Sequence, residues 1–181
     1  MDARDRDADL DSVLIGGRER REIVIVDYDP SWPMRFEREH DRLQLALGEL
    51  ALQIEHIGST AVPGLAAKPI IDVLVAVADP EADDAVVPPL EAAGYELRVR
   101  EPGHRMLRTR ERDVHVHVWP AGTDEIARLL AFRDHLRRAR ADCLAYERVK
   151  RELAARDWSD MNEYADAKGP LIEQILARAR R

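Results

Sequence analysis

The 181-residue sequence contains one cysteine, few aromatic residues and no long apolar run. The single thiol, Cys143, cannot form an internal disulfide, which is typical of a protein from a reducing compartment. No segment approaches the roughly 18 consecutive apolar residues of a membrane helix, and the N-terminus is charged. We therefore expect a cytoplasmic protein with neither a signal peptide nor a membrane partner.

The sequence also lacks a surplus of basic residues. It has 28 lysines and arginines against 35 aspartates and glutamates, for a formal net charge of -7. Because non-specific binding to nucleic acid needs a basic surface, long DNA or RNA is not expected as a partner. Hydrophobic residues nevertheless make up 45% of the chain, which is enough for the core of one domain.

Composition divides the chain into an arm and one domain. Residues 1–21 are rich in Asp and Arg around a short apolar break at 13–15, which predicts a flexible charged arm. The apolar break is open to two interpretations: disorder together with the arm, or docking on a sheet edge or a partner subunit. Residues 22–181 are expected to form the domain, with a sheet part at 22–120 and a helical part at 121–181.

The apolar periodicity predicts strands first and helices afterwards. Strands are expected at 22–27, 52–57, 68–77, 95–100, 105–110 and 113–119. Helices are expected at 31–50, at 79–93, from 123 onward, at 142–156 and at 160–179. Ser31 is predicted to cap the first helix, Pro88-Pro89 to interrupt the second and Gly169-Pro170 to break the last. This order favours an α+β fold with a mixed sheet.

A glycine-serine turn and a strand carboxylate form the first candidate site. Gly58 and Ser59 follow the strand at 52–57, and Asp72 lies in the next strand. Glycine allows a close backbone approach, while turn N–H groups and a hydroxyl can bind a phosphate oxygen. A strand carboxylate can hold Mg²⁺, which neutralises phosphate charge during transfer.

Strand alternation groups Asp72 with two histidines. Valines alternate with other residues at 71–77 and 114–118, so the valine rows are expected to face one core. The side chains of Asp72, His115 and His117 are then expected to project from the same face of the sheet, opposite the valines. Each signal has a common structural explanation, because a Gly-Ser pair usually marks a turn, a strand Asp usually pairs with a basic residue, and His-x-His usually lies on a polar face. Their convergence on one place favours a functional site.

Two other features are expected to be structural. Arg133 and Asp134 should form an ion pair between the helical part and the sheet. Trp32, a large aromatic residue beside Pro33, is expected to anchor packing rather than to take part in chemistry.

Long stretches of the sequence resemble the GrpB family. The matching segments are 26–33, 56–72, 115–118 and 130–136, with Tyr164 and Lys168 near the C-terminus. The similarity covers about residues 22–181, nearly all of the chain outside the arm. The family looks like a branch of the nucleotidyltransferase superfamily related to polymerase β. The resemblance therefore implies a nucleotidyltransferase-like mixed β-sheet with flanking helices and a helical C-terminal part.

The sequence departs from the superfamily pattern at two positions of the implied metal site. The superfamily uses a Gly-Ser turn, an Asp-x-Asp or Asp-x-Glu pair and a third carboxylate on a later strand. Asp72 matches, but Leu74 stands where the second carboxylate is expected, and the third position falls on the strand with the histidines. Two metal sites are implied: Mg²⁺ held by Asp72, substrate phosphates and water, or a softer ion such as Mn²⁺ or Zn²⁺ held by Asp72, His115 and His117. Mg²⁺ or Mn²⁺ is the favoured ion and Zn²⁺ an alternative.

The resemblance implies metal-dependent transfer of a nucleoside monophosphate from a nucleoside triphosphate to a small acceptor. The catalytic candidates are Asp72, His115 and His117. The candidate nucleotide- and phosphate-binding residues are Gly58, Ser59, Thr60, Lys68, His56, Arg105, Lys150, Tyr164 and Lys168. Because Leu74 removes a carboxylate, the alternative is a catalytically silent nucleotide- or phosphate-binding module, and a histidine-anchored metal hydrolase is a third reading. The acceptor, the base preference and the oligomeric state stay open.

Overall fold

A mixed five-stranded sheet organises the computed structural model, which describes residues 12–17, 22–158 and 161–180. The strands are β1 (Gln53–Ile57), β2 (Ile71–Val77), β3 (Tyr95–Glu101), β4 (His104–Thr109) and β5 (Val114–Pro120). Their order in the sheet is β1-β2-β5-β4-β3. The β2–β5 pair is parallel and the other three pairs are antiparallel. The predicted mixed sheet is therefore confirmed.

Six α-helices lie entirely within the described ranges. They are α1 (Trp32–Leu47), α2 (Asp83–Ala92), α3 (Asp124–Arg138), α4 (Arg140–Ala154), α5 (Met161–Ala167) and α6 (Gly169–Ala179). The predicted break near Gly169 is confirmed, because α5 and α6 are separate helices on either side of Lys168. The predicted start of that region, near Asp160, lies outside the described residues. No helix in these ranges combines the length and apolar character that a membrane span needs.

The core lies on both faces of the sheet. The valine rows of β2 and β5 pack against Trp32, Leu43 and Leu47 of α1 and against Val86 and Leu90 of α2. On the opposite face, Ile126 of α3 packs with Leu74, Ala76 and Ile57. Each fully buried aliphatic side chain contributes about 1.5–3 kcal/mol through removal from water, so these two layers hold the sheet between helices. Trp32 is 1% exposed, as expected of a packing anchor.

The prediction of an interruption at Pro88-Pro89 is wrong. Both prolines lie inside α2, which continues to Ala92. Proline inside a helix removes a backbone hydrogen bond and costs roughly 3 kcal/mol. Val86 and Leu90 of α2 pack against the sheet and offset this cost, because tertiary packing outweighs local propensity.

The prediction of a strand at 22–27 is also wrong. The segment makes a single bridge in which Val26 and Ala67 exchange two backbone hydrogen bonds of 2.9 Å. Its β-branched residues serve a different contact, since Ile23 packs against Leu153 and Tyr164 of the helical part. The apolar pattern thus reflects packing between distant segments rather than membership of the sheet.

The predicted cap of α1 is replaced by a neighbouring side chain. Ser31 has helical backbone angles and no side-chain capping bond. Its N–H instead donates to Oδ1 of Asp29 at 2.8 Å. A capping residue needs an extended backbone so that its side chain can turn back toward the helix, and Ser31 does not have it.

The short apolar break in the predicted arm docks on the edge of the sheet. Leu14 bridges to Val99 of β3, and the Ile15 N–H donates to the Arg98 carbonyl at 2.9 Å. The Arg98 guanidinium donates in return to the carbonyls of Ile15 and Gly17. Of the two interpretations, docking on a sheet edge applies to residues 12–17. Residues 1–11 and 18–21, the rest of the predicted arm, lie outside the described ranges.

Candidate functional site

The glycine-serine turn lies directly beside Asp72. Antiparallel pairing sets Ile57, the last residue of β1, opposite Asp72 in β2. The chain then turns through Gly58, with φ at 70°, into a short 3-10 turn at Ser59–Ala61. A Cβ atom on Gly58 would lie 2.4 Å from Oδ2 of Asp72. Glycine is therefore required both for its backbone angle and for the close approach of the carboxylate.

Asp72 and the two histidines project from the same side of the sheet. In the parallel β2–β5 pair, Asp72 is opposite His115, and Leu74 is opposite His117. Oδ1 of Asp72 is 3.5 Å from Nδ1 of His115 and 3.9 Å from Nε2 of His117. One ligand atom from each residue lies within 4.8 Å of the others. The predicted shared face is confirmed, and the group has the dimensions of a metal-ligand cluster.

The electrostatics of this cluster keep Asp72 ionised. Burial opposes ionisation of the carboxyl, whose side chain is 29% exposed. The nearby His115 and His117 side chains outweigh that effect and hold the pKa of Asp72 below its usual range. The cluster therefore presents an ionised carboxylate at neutral pH.

The cluster opens into a hollow of about 170 Å³ beside the glycine-serine turn. The sheet part and the helical part both contribute to its wall. The lining residues are Ile25, Gly58, Ser59, Thr60, Lys68, Ile70, Asp72, His115, Phe132, Tyr146, Lys150, Tyr164 and Lys168. His117 reaches Asp72 but is not part of this wall.

Three lysines face one carboxylate in the hollow. Lys150 is 2% exposed, and its ammonium group donates to the Ala66 carbonyl. Burial, reinforced by the nearby Lys168, lowers the pKa of Lys150 to about 7. Burial and the charge of Lys68 lower the pKa of Lys168 to about 8. Since Asp72 is the carboxylate among the lining residues, the wall favours an anion.

Two tyrosines stand next to these lysines. The Nζ atoms of Lys168 and Lys68 lie 4.6 and 5.3 Å from the ring centre of Tyr164. The Nζ of Lys150 lies 5.0 Å from the ring centre of Tyr146. Burial raises the pKa of Tyr164 to about 12 and also raises the pKa of Tyr146, so both phenols are neutral hydrogen-bonding groups.

Sequence reasoning missed Tyr146 and Phe132, whose rings form an edge-to-face pair at 5.2 Å. A signal for Tyr146 was present, because it lies four residues before Lys150, just as Tyr164 lies four before Lys168. Residues at this spacing share a helix face. Phe132 carries no comparable signal, since its position depends on how α3 packs.

Two predicted phosphate-binding residues do not line the hollow. His56 is buried, stacks on Phe36 with ring centres 4.7 Å apart, and bonds through Nε2 to the Thr60 hydroxyl at 3.0 Å. Burial lowers the pKa of His56 to about 4, so the ring is neutral. Arg105 is also buried, and its guanidinium bonds to Asp83 at 2.7 Å and to the Glu101 carbonyl. Both side chains already have partners in the core and do not reach the wall.

Helix α3 holds both flanks of the glycine-serine turn. Arg133 bonds to Asp134 at 2.8 Å, to Glu55 at 2.7 Å and to the His56 carbonyl at 3.0 Å. The predicted Arg133–Asp134 ion pair forms, but it lies within α3, and the ion pair that reaches the sheet is the one between Arg133 and Glu55. Arg137 donates twice to the Ala61 carbonyl, at 3.0 and 2.8 Å. These bonds bracket residues 57–60, which carry the turn.

A further imidazole lies behind the cluster. His104 of β4 is 7% exposed and stacks on Trp119 with ring centres 3.9 Å apart. Burial, together with the nearby His117, lowers the pKa of His104 to about 4. His104 is thus a neutral hydrogen-bonding group at neutral pH.

Comparison with known proteins identifies the family. The model of the GrpB protein family matches residues 22–178. A UPF0157 protein of Streptomyces coelicolor is 52% identical over 166 residues, which cover 92% of this chain and 89% of that protein.

Solved structures agree with this match. The crystal structure of the conserved protein GrpB from Enterococcus faecalis is 39% identical, with a TM-score of 0.77 over 86% of this chain and 96% of that chain. The GLD-2/RNP-8 complex is similar over 83% of this chain and 60% of that chain, with 13% identity and a TM-score of 0.50. At that identity the likeness concerns the fold alone, which is nucleotidyltransferase-like. The chain belongs to the GrpB family.

Proposed function

We propose that this chain binds a nucleoside triphosphate in the hollow and transfers its nucleoside monophosphate to a small acceptor. The proposal rests on one observation: the carboxylate–imidazole cluster opens into a hollow whose wall contains three lysines. A nucleotidyltransferase-like fold adds support, because phosphoryl chemistry needs positioning and charge stabilisation more than covalent catalysis.

The cluster suits a divalent metal ion. One carboxylate oxygen and two imidazole nitrogens form a mixed donor set, which fits Mn²⁺ or Zn²⁺ better than Mg²⁺, an ion that prefers oxygen ligands. Asp72 would hold the ion together with His115, His117 or both. A bound ion would supply charge neutralisation at the phosphates.

The hollow supplies the remaining contacts for a triphosphate. Lys68, Lys150 and Lys168 bring positive charge to a partly water-excluded wall, where each charge interacts more strongly than in water. Gly58, Ser59 and Thr60 line the hollow, so the Ser59 hydroxyl and the backbone N–H groups of the turn can donate to phosphate oxygens. An imidazole of the cluster that is not bound to the ion can accept the acceptor's proton.

Leu74 favours a second function, a catalytically silent nucleotide- or phosphate-binding module. Leu74 is fully buried and packs with Ile57, Ala76 and Ile126 under α3. A carboxylate at this position would lose its hydration, so the packing here is built for an apolar side chain. The site therefore has one strand carboxylate where two-metal transfer uses several.

Replacement of Asp72 tests the proposed function. Asp72→Asn keeps the shape of the side chain but removes its charge, so we expect loss of pyrophosphate release by at least about 100-fold. Pyrophosphate is measured with a panel of nucleoside triphosphates and small acceptors in Mg²⁺, Mn²⁺ or Zn²⁺. Asp79→Asn, an exposed carboxylate beyond β2, is the matched control and should keep full activity.

Calorimetry on the same samples separates the two functions. Nucleotide binding without pyrophosphate release in the wild-type protein supports the silent module. Full activity of the Asp72→Asn variant contradicts the transfer mechanism, and absence of nucleotide binding contradicts both functions.

A further inference from the structure

A chain of hydrogen bonds leads from the candidate metal cluster to the surface of the sheet. Nδ1 of His117 lies 3.2 Å from Nε2 of His104. Nδ1 of His104 lies 2.5 Å from Oε1 of Glu101, whose side chain is 39% exposed. None of the transfer chemistry proposed above uses Glu101 or His104.

The order of atoms in this chain determines where the protons lie. A carboxylate only accepts hydrogen bonds, so the proton between Glu101 and His104 belongs to Nδ1 of His104. When both rings are neutral, His104 has a lone pair on Nε2, and the 3.2 Å separation requires that this lone pair accept the Nδ1–H of His117. His117 is consequently left with a bare Nε2, the atom that faces Asp72 at 3.9 Å.

Packing holds this chain in place. His104 is almost parallel to both neighbouring rings, with 9° between its plane and that of Trp119 and 4° to His117. Strand register contributes as well, because His104 lies at the start of β4, and His117 is opposite Met106 of the same strand. The stack restricts rotation of His104, so its two nitrogens stay aimed at Glu101 and His117.

We propose that Glu101 and His104 are positioning residues that hold His117 in the Nδ1–H tautomer, with Nε2 free as a ligand or base. The role of that free nitrogen rests on the proposed function, whereas the tautomer itself does not. Metal-ligating histidines commonly donate their other ring N–H to a carboxylate or carbonyl, which orients the ring and raises its basicity. Here a second imidazole carries that interaction from the carboxylate to the ligand.

The tautomer is measurable on the metal-free, full-length protein. Two-bond nitrogen–proton correlation spectra of ¹⁵N-histidine protein at mildly alkaline pH assign the proton of each neutral ring. We expect Nδ1–H for both His104 and His117. An Nε2–H tautomer of His117 in the wild-type protein overturns the proposal.

Two variants separate positioning from a purely structural role. His104→Phe keeps a flat ring against Trp119 but removes the acceptor, so His117 should shift toward the Nε2–H tautomer. Glu101→Gln keeps an acceptor oxygen without the charge and should shift His117 by a smaller amount. His40→Phe removes a partly exposed histidine of α1, far from this chain of hydrogen bonds in sequence, and should leave the His117 signals unchanged.

Binding of Zn²⁺ and Mn²⁺ gives a second readout. We expect His104→Phe to weaken affinity by about 10- to 100-fold, with Glu101→Gln in between and His40→Phe like the wild type. Equal affinity in all four proteins contradicts the positioning role. If the wild-type protein binds neither ion, the proposed function loses its metal site, while the tautomer spectra still decide the inference about His117.

Discussion

At the scale of single residues, Gly58 and Asp72 form the tightest constraint in the candidate site. The φ angle of Gly58 is 70°, and its Cα lies so close to Asp72 that an added Cβ would collide with the carboxylate. The same contact keeps the carboxylate beside the turn that precedes Ser59. The backbone conformation of the turn and the geometry of the cluster therefore both require that residue 58 has no Cβ atom.

Gly103 allows the two effects of a Gly58 substitution to be separated. Its φ is 71°, almost equal to that of Gly58, but a Cβ there meets nothing within 4 Å. Gly103→Ala should cost about 1–2 kcal/mol in the free energy of unfolding, the usual penalty for a left-handed backbone. Gly58→Ala should cost more than that and should also weaken metal binding, because Asp72 must move. Chemical denaturation and calorimetry measure the two quantities, and equal behaviour of both variants would rule out the collision with Asp72.

At the scale of elements, α3 controls the position of the turn between β1 and β2. Arg133 and Arg137 are four residues apart and so share a helix face. One bonds to the carbonyl before the turn, and the other bonds to the carbonyl of Ala61 at its end. The sheet thus supplies the ligands, while a helix from the C-terminal part fixes the loop that joins them.

Removal of the Arg137 guanidinium tests this role of α3. Arg137→Met should lower the free energy of unfolding by about 1–3 kcal/mol, because the Ala61 carbonyl loses both donors. Binding of nucleotide in the hollow should weaken as well, since Ser59 and Thr60 lie next to Ala61. Arg138→Met, an exposed neighbour on the same helix, is the control for loss of a positive charge. Unchanged stability and binding in Arg137→Met would show that α3 does not hold the turn.

At the scale of the whole molecule, the hollow depends on contact between the sheet and the helical part. Lys150 of α4 is buried against the segment that follows the turn, where it donates to the Ala66 carbonyl. Folding therefore places an amine in a site where its charged form is disfavoured. Because of this cost, the free energy of unfolding depends on pH.

The sign of that dependence follows from the pKa of Lys150. Its pKa is about 7 in the folded chain against 10.5 for the free side chain, so the unfolded chain binds more protons between these values. Stability should consequently rise with pH across this window, and the cost should be fully present below about pH 7. Relative to Lys150→Met, wild-type stability should rise by about 2 kcal/mol from pH 7 to pH 9. Urea unfolding at several pH values checks this, and parallel profiles for the two proteins would contradict it.

Within the site, the sequence predicted the residues that depend on local geometry. Asp72, His115 and His117 share a face because strand alternation is a property of the backbone itself. The sequence could not assign the role of Arg105. Its charge is typical of a phosphate contact, but Arg105 pairs with Asp83 in the folded chain. The sequence also misplaced the 22–27 segment, since β-branched residues favour a strand whether they join a sheet or pack against helices.

By itself, therefore, the sequence determined the order of strands and helices from residue 31 onward, the turn at Gly58 and the side of the sheet on which the cluster lies. The period of a strand and the freedom of glycine are local properties that a short stretch of residues encodes. Only the tertiary structure decided which charges surround the cluster, as when Lys150 and Tyr146 reach the hollow and His56 does not. Contacts between segments so far apart depend on packing free energy summed over the whole chain, which no local pattern records.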